Sequence, residues 1–322
     1  LAVQGKLVEQ DPKEEPARSL LARLCARLNR WHQVDQTGQG PYSIPTTWIW
    51  TDLGNLIEDI TSGWSPNCES RTKSDDEWGV LKVSAVSWGV FLPNENKALP
   101  LELEPRQQFA VQSGDFLMSR ANTAELVGRS VIVDQVPPRL LLSDKLLRVS
   151  VPAEISKHYL NLFMASPSAR SYLAEKSSGT SASMRNVSRE VIKAMLIAVP
   201  PLAEQKRIVA KVDELMALCD ELEQKQEQRH TVRRAAHTSA LDALTNAQTP
   251  DELAHAWERL QKHWDVLAAH ADAVPPLRQA ILQLAVQGRL VKQDSNDDPA
   301  ESIVAQWSRP SANIAGPFLL PA

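Results

Sequence analysis

Residues Leu202–Glu223 read LAEQKRIVAKVDELMALCDELE, in which Ile208, Val212, Leu215, Cys219 and Leu222 follow one another at steps of 4, 3, 4 and 3. That is the stride of a coiled-coil seam, and Glu, Lys and Arg fill the flanks, so the stretch predicts a long helix whose apolar edge another helix must cover. Downstream, Leu253, Trp257, Leu260, Trp264 and Leu267 repeat the same steps and are the expected partner. Thr249 as N-cap, Pro250 in the first turn and Glu252 three residues after the cap mark where that second helix starts. Pro275 and Pro276 are expected to end it, with a third helix over Leu277–Ala285 closed by Gly288.

Upstream of the seam the texture changes. Ile44 to Pro200 holds short β-leaning runs, Trp48–Leu53, Gly79–Val86, Arg129–Val133 and Leu140–Val149, punctuated by Gly, Pro, Asn and Asp, with helical pattern at Ile155–Glu175. This is the signature of a mixed α/β domain rich in loops. Ala17–Trp31 predicts a short amphipathic helix, and the polar Gln33–Ser43 a linker.

The ends of the chain repeat one another. Leu1–Ala17, LAVQGKLVEQDPKEEPA, matches Leu284–Ala300, LAVQGRLVKQDSNDDPA, at eleven of seventeen positions with a constant offset of 283. Such a spacing is far beyond the roughly 20–50 residues of a solenoid period and reads as a shared scaffold bracketing a globular module. The expected organisation is therefore α+β: residues 1–40 a first repeat, short helix and linker; 41–200 the globular domain; 201–290 a long antiparallel helical spacer; and 291–322 the second repeat and tail. A start at Leu1 without methionine suits a fragment or a processed product.

Composition narrows the chemistry. Cys25, Cys68 and Cys219 are scattered, with neither a CxxC pair nor histidines at metal spacing, so zinc and a disulfide framework are not expected and a reduced, cytoplasmic setting is. No run approaches the roughly 20 apolar residues of a membrane span. Formal charge is −4, yet Pro41–Pro105 carries 4 Lys and Arg against 10 Asp and Glu, whereas Arg106–Lys193 carries 12 against 7. Local potential rather than the average attracts phosphate, so the second half of the domain is a candidate basic surface.

Catalytic patterns are missing. The sequence has no GxxxxGK[ST], no GxGxxG after a strand, no HExxH and no GxSxG. Asp75, Asp76, Glu77 and Lys82 are too short and degenerate a group to signal a nuclease. Catalytic and metal-ligating residues are expected to be none. What remains is polar loops with the chemistry of DNA contacts: Ser178, Thr180, Ser181, Arg185 and Asn186 in SSGTSASMRN, and Arg120 and Asn122 beside Ser119. Arg suits guanine, Asn suits adenine, and hydroxyls suit phosphate oxygens. Arg129 and Arg148 are candidate phosphate contacts, and Trp64 and Trp88 candidate stacking residues.

The run SGTSASMRNVSREVIKAMLIAVPPLAEQKRIVAKVDELMALCDELE, Ser178–Glu223, resembles the end of a target recognition domain and the start of the spacer helix in specificity subunits of Type I restriction-modification systems. Ser113-Gly114-Asp115-Phe116-Leu117 and both LAVQG copies add to the resemblance, which extends over nearly the whole chain. It implies a non-catalytic reader of double-stranded DNA, with two recognition domains held apart by helices that bind methyltransferase subunits. S-adenosylmethionine belongs to those partners, and ATP and Mg2+ to a motor nuclease subunit; this chain holds none of them. One recognition domain instead of two implies either an absent half or a half-size form that pairs as a homodimer. Competing classes are a stand-alone nuclease or methyltransferase, which would turn over unaided, and a structural coiled-coil adaptor, which would show no sequence preference.

Overall fold

The computed structural model describes residues 1–28, 40–181, 184–291, 294 and 296–307. Two compact units divide it, Leu1–Leu218 and Cys219–Ala322. The boundaries expected at 40 and 200 therefore fall inside the first unit, because the first repeat, the globular domain and the start of the long helix share one core. Fold class is α+β as expected, with mixed sheets in the first unit and helices in the second.

The first unit runs α1 (Ala17–Arg27), β1 (Ile49–Asp52), β2 (Asp59–Ser62), β3 (Gly79–Leu81), β4 (Asn96–Ala98), β5 (Phe116–Ser119), β6 (Ala121–Asn122), β7 (Ser130–Ile132), β8 (Leu140–Leu141) and β9 (Leu146–Ser150). It continues through α2 (Lys157–Met164), α3 (Pro167–Lys176), β10 (Ser178–Ser181), β11 (Met184–Asn186), α4 (Arg189–Lys193), β12 (Leu196–Val199) and the first part of α5 (Leu202–Thr245). Among the described residues these strands form four small sheets, ordered β2-β9-β5-β7, β4-β3-β8, β10-β11-β6 and β1-β12. All pairings are antiparallel except β3 with β8.

Strand β5 is apolar over Phe116, Leu117 and Met118 for a structural reason. Phe116 and Met118 enter the main core, while Leu117 points to a second cluster with Val131 and Leu146. Successive side chains leave a strand on opposite faces, so a strand buried on both reads as an apolar run, and the one buried polar residue here, Ser119, donates its hydroxyl to Leu126 O (2.8 Å). Helices α2 and α3 begin at Ser156 and Ser166, whose hydroxyls accept from Tyr159 N and Ala169 N.

The motif Pro200-Pro201-Leu202-Ala203-Glu204-Gln205 is a knot of buried hydrogen bonds. Glu204 is 1% exposed and accepts from Trp48 Nε1 (2.9 Å) and Gln10 Nε2 (2.6 Å). Gln205, also buried, accepts from Ser156 N at the start of α2 and donates to Pro200 O, both at 2.9 Å. Arg207 reaches back to Glu14, 3.1 Å through Nη2. The first turns of α5 thus clamp the first repeat and α2 onto one core.

The second unit holds the rest of α5, α6 (Pro250–Lys262), α7 (Trp264–Leu267), α8 (Val274–Val286) and α9 (Ala300–Trp307). The capping box at Thr249 and Glu252 is present. Helix α6 runs antiparallel to α5, but against its later turns: Leu241 packs with Leu260, and Leu244 with Ala256. The expected pairing with Ile208–Leu222 is thereby corrected. Ile208 belongs to the core of the first unit, Val212 is half-buried, and Leu215, Cys219 and Leu222 are exposed. Of the downstream stripe, Leu260 and Leu267 are buried and Leu253 half-buried, while Trp257 and Trp264 lie mostly outward. The helix also breaks at His263 rather than at the prolines. Pro275 and Pro276 sit in the first turn of α8, where a missing N–H costs nothing.

The two repeat copies share a glycine turn. Gly5 and Gly288 each stand at φ 68°, with matching closures Lys6 N→Leu1 O (3.1 Å) and Arg289 N→Leu284 O (2.9 Å). Glycine is required there because the left-handed conformation is costly for other residues. Helices α1 and α9 begin at Ala17 and Ala300, the same offset of 283. Among the described residues, no helix is long and apolar enough to cross a membrane.

Candidate nucleic-acid interface

Backbone hydrogen bonds gather most of the sequence-flagged polar residues at one end of the first unit. In β11, Arg185 faces Asn122 and Asn186 faces Ala121 across the pairing with β6. Val187 N donates to Arg120 O (3.0 Å), Arg120 N to Lys145 O (2.8 Å) and Ser119 N to Arg129 O (2.8 Å). Asn122 Nδ2 donates to Ser87 Oγ at 3.0 Å, which brings in the turn carrying Trp88. One edge therefore collects Arg120, Arg129, Lys145, Arg185, Asn186, Ser178 and Trp88.

The side chains differ in what they have left to offer. Asn186 and Arg120 are exposed, and neither side chain is engaged in a hydrogen bond or ion pair among the described residues. Arg185 is half-buried, with Nε donating to Ser177 Oγ (3.2 Å) and Nη1 to Gly179 O (3.1 Å), so its guanidinium is largely spent on its own hairpin. Ser178 is exposed. Thr180 and Ser181 belong to β10 by their backbone, and their side chains lie outside the described residues.

Two of the expected contacts have partners inside the fold. Asn122 spends its amide on Ser87 and its carbonyl oxygen on Thr123 N (2.9 Å), a strut between the Trp88 turn and the sheet. Arg148, on β9, is held by Asp115 at 2.9 Å and by Ala110 O, with both charged side chains mostly buried. Its charge is consumed inside the fold. Replacing Arg148 by Ala is expected to destabilise the first unit by about 2 kcal/mol, the worth of a hydrogen bond to a charged group with its partner left unpaired. Urea denaturation should show that loss.

Arg129 is half-buried, and its Nε has no acceptor. It lines a cleft of about 200 Å³ with Gly89, His158, Asn161 and Asp213. Arg170, which the sequence reading passed over, donates to Glu125 O (2.8 Å) and leaves Nη1 without a partner. Burial, with Arg129's charge adding, brings the Arg170 guanidinium down to about 10. Trp88 is 66% exposed, whereas Trp64 lies under Arg106, 4.4 Å from its ring centre, and is not free to stack on a base.

The acidic group near residue 75 is occupied by ion pairs. Arg71 holds Glu77 at 2.6 Å and keeps its carboxyl down at about 2, and Arg139 lies 3.3 Å from Asp76. Lys82 faces Glu95 instead, at 3.6 Å. Among the described residues, no group of three His, Cys, Asp or Glu side chains is placed to hold a metal ion.

Comparisons with known proteins give these positions a family context. The family model described as Type I restriction modification DNA specificity domain matches residues 59–229. The Type I restriction enzyme EcoEI specificity subunit of Escherichia coli is 34% identical over 235 residues, covering 69% of this chain and 40% of its own length. The EcoAI specificity subunit, also from Escherichia coli, is 29% identical over 332 aligned positions, covering 98% of this chain and 54% of its own. The chain thus spans about half the length, or less, of these curated relatives. Among solved structures, the HsdS subunit from Thermoanaerobacter tengcongensis is similar at 18% identity and a TM-score of 0.39, over 77% of this chain and 53% of that one.

Proposed function

The chain belongs to the Type I restriction-modification DNA specificity family, and on that premise we propose that it is a non-catalytic reader of one half of a two-part sequence in double-stranded DNA. The observation that carries this reading is the pairing of β11 with β6, which brings Asn186 and Arg120 to neighbouring positions of one edge, both exposed and with no side-chain partner among the described residues. An Asn side chain can take two hydrogen bonds from an adenine edge, and an uncompensated Arg beside it suits a phosphate.

The exposed seam of α5, Leu215, Cys219 and Leu222 together with Met216 and Leu218, supports docking of methyltransferase subunits. A protein rarely leaves such an apolar run uncovered unless a partner takes it. S-adenosylmethionine would then reside in those subunits, and ATP and Mg2+ in a motor nuclease subunit that joins them. The second repeat copy supports a target of two parts. In the first copy Val3, Leu7 and Val8 pack on the core, whereas Val286 and Val291 in the second are 90% and 75% exposed. A second reading module, supplied by another copy of the chain, would complete it.

Co-expression with methyltransferase subunits, followed by mapping of methylated adenines in genomic DNA, tests the reading. A split motif is expected, with palindromic halves if two copies of this chain pair. Methylation without sequence preference overturns it, as does modification or cleavage of DNA by the purified chain alone.

A further inference from the structure

Next to the β11–β6 edge, a cavity of about 300 Å³ opens beside the turn between β8 and β9. Lys82, Lys97 and Lys145 line it, together with Ser143 and the loop that carries Ser65, Asn67 and Cys68. The loop reaches this position because of Gly63. A Cβ at that residue would lie 1.8 Å from Leu142 O, so only glycine lets the backbone press onto the strand, with Gly63 N donating to Ser143 O at 3.1 Å and Trp64 N to Leu142 O at 2.9 Å.

Three features distinguish this cavity from an ordinary surface groove. Its charge is unbalanced: Lys82 shares Glu95 at 3.6 Å, while Lys97 and Lys145 have no ion-pair partner among the described residues. Asp144, the other acid nearby, is tied to Ser65 by a short hydrogen bond and by its own amide, 3.2 Å from Ser65 Oγ. Ser143 is 5% exposed, and its Oγ has no hydrogen-bond partner among the described residues, which is costly for a buried hydroxyl. Lys145 also joins the cavity to the DNA-facing edge, since its carbonyl accepts from Arg120 N.

We propose that this cavity seats one phosphate group, with Lys97 and Lys145 neutralising its charge and the Ser143 hydroxyl turning to donate to one of its oxygens. A phosphate has several acceptor oxygens and no need of a second acid, which matches a site of ammonium groups and one unspent hydroxyl. The group comes either from a DNA strand passing the edge, a case that rests on the proposed function, or from a free phosphate, a case that does not.

Cys68 supplies the test, because its half-buried thiol lines the same cavity. Burial pushes that thiol up while Lys97 pulls it down, so alkylation is followed above neutral pH. The full chain is treated with iodoacetamide at constant ionic strength, alone, with inorganic phosphate, or with a mixed-sequence duplex, and Cys68 and Cys219 are quantified separately by peptide mass spectrometry. Retention of the duplex is measured in the same samples. Occupancy is expected to slow Cys68 by 1 + [L]/Kd, about tenfold at ten times Kd, and to leave Cys219 unchanged. The double variant Lys97→Ala, Lys145→Ala should alkylate at the unliganded rate throughout. Slowing by the duplex alone assigns the phosphate to DNA, and slowing by both ligands assigns a free-anion site. Slowing by inorganic phosphate with no duplex retained keeps the site and rejects the DNA reading. If neither ligand slows Cys68, or if slowing survives in the double variant, the proposal is overturned.

Discussion

Replacing Glu204 by Ala is expected to lower the stability of the first unit by about 3 kcal/mol, the cost of two donors losing a charged acceptor. Trp48 Nε1 and Gln10 Nε2 both end on this carboxylate, and Trp48 is 6% exposed, so water cannot take the place of the lost oxygen there. Gln10 in turn accepts from Thr47 Oγ1 at 2.9 Å, which links the first repeat to the start of β1 through the same residue. Glu204→Gln should cost less, since one oxygen remains. The two variants also differ from wild type in pH dependence. Burial pushes the Glu204 carboxyl up, against the hydrogen bonds from Trp48 and Gln10 and the charge of Arg207. The folded state therefore holds this proton more tightly than the unfolded chain. That contribution to stability is complete below the ordinary carboxylate value and is lost as pH rises through the raised one. Urea titrations followed by tryptophan fluorescence should show wild-type stability falling across that window, and Glu204→Gln should flatten the fall. An Ala variant as stable as wild type, or an unchanged slope in the Gln variant, would sink the assignment.

Glu204 also marks where sequence reasoning stopped short. Its motif was legible as a family signature, but nothing in the spacing of Glu204 and Gln205 said that both would be buried. Two adjacent polar residues in the first turn of an otherwise amphipathic helix were the available signal. The same limit applies to Asn122 and Arg148. Sequence displays which groups can bond, whereas their partners, Ser87 and Asp115, lie 35 and 33 residues away. The helical stride at Ile208–Leu222 was read correctly as helix, yet a stride does not name its partner. Leu241 and Leu244, three residues apart further along α5, hold α6 and leave the earlier stripe open. Where the decisive chemistry is local, the sequence displays it directly. The capping box at Thr249 and the closing glycine at Gly288 depend only on neighbours within one turn, and both are present.

Asn186 and Arg120 should separate base reading from backbone grip. Asn186→Ala is expected to cost about 1–3 kcal/mol at a single base position and to relax the recognised sequence there, while other positions keep their preference. Arg120→Ala should weaken binding to every duplex alike and reduce the slope of log affinity against log salt by about one, because one fewer counterion is released. The assignment of these two roles follows from what each side chain has free. Arg185, beside Asn186, has committed Nε and Nη1 to Ser177 and Gly179, so it cannot present the two-pronged face that guanine requires without abandoning its hairpin. Asn186 keeps both its amide and its carbonyl oxygen, and Arg120 keeps its full charge. Selection of binding sites from a random duplex pool by wild type and each variant, at two salt concentrations, reads both effects. If Asn186→Ala weakens all sequences equally, or Arg120→Ala changes the selected motif and leaves the salt slope untouched, the two residues have been given the wrong tasks, and base readout must lie elsewhere on the β10–β11 hairpin.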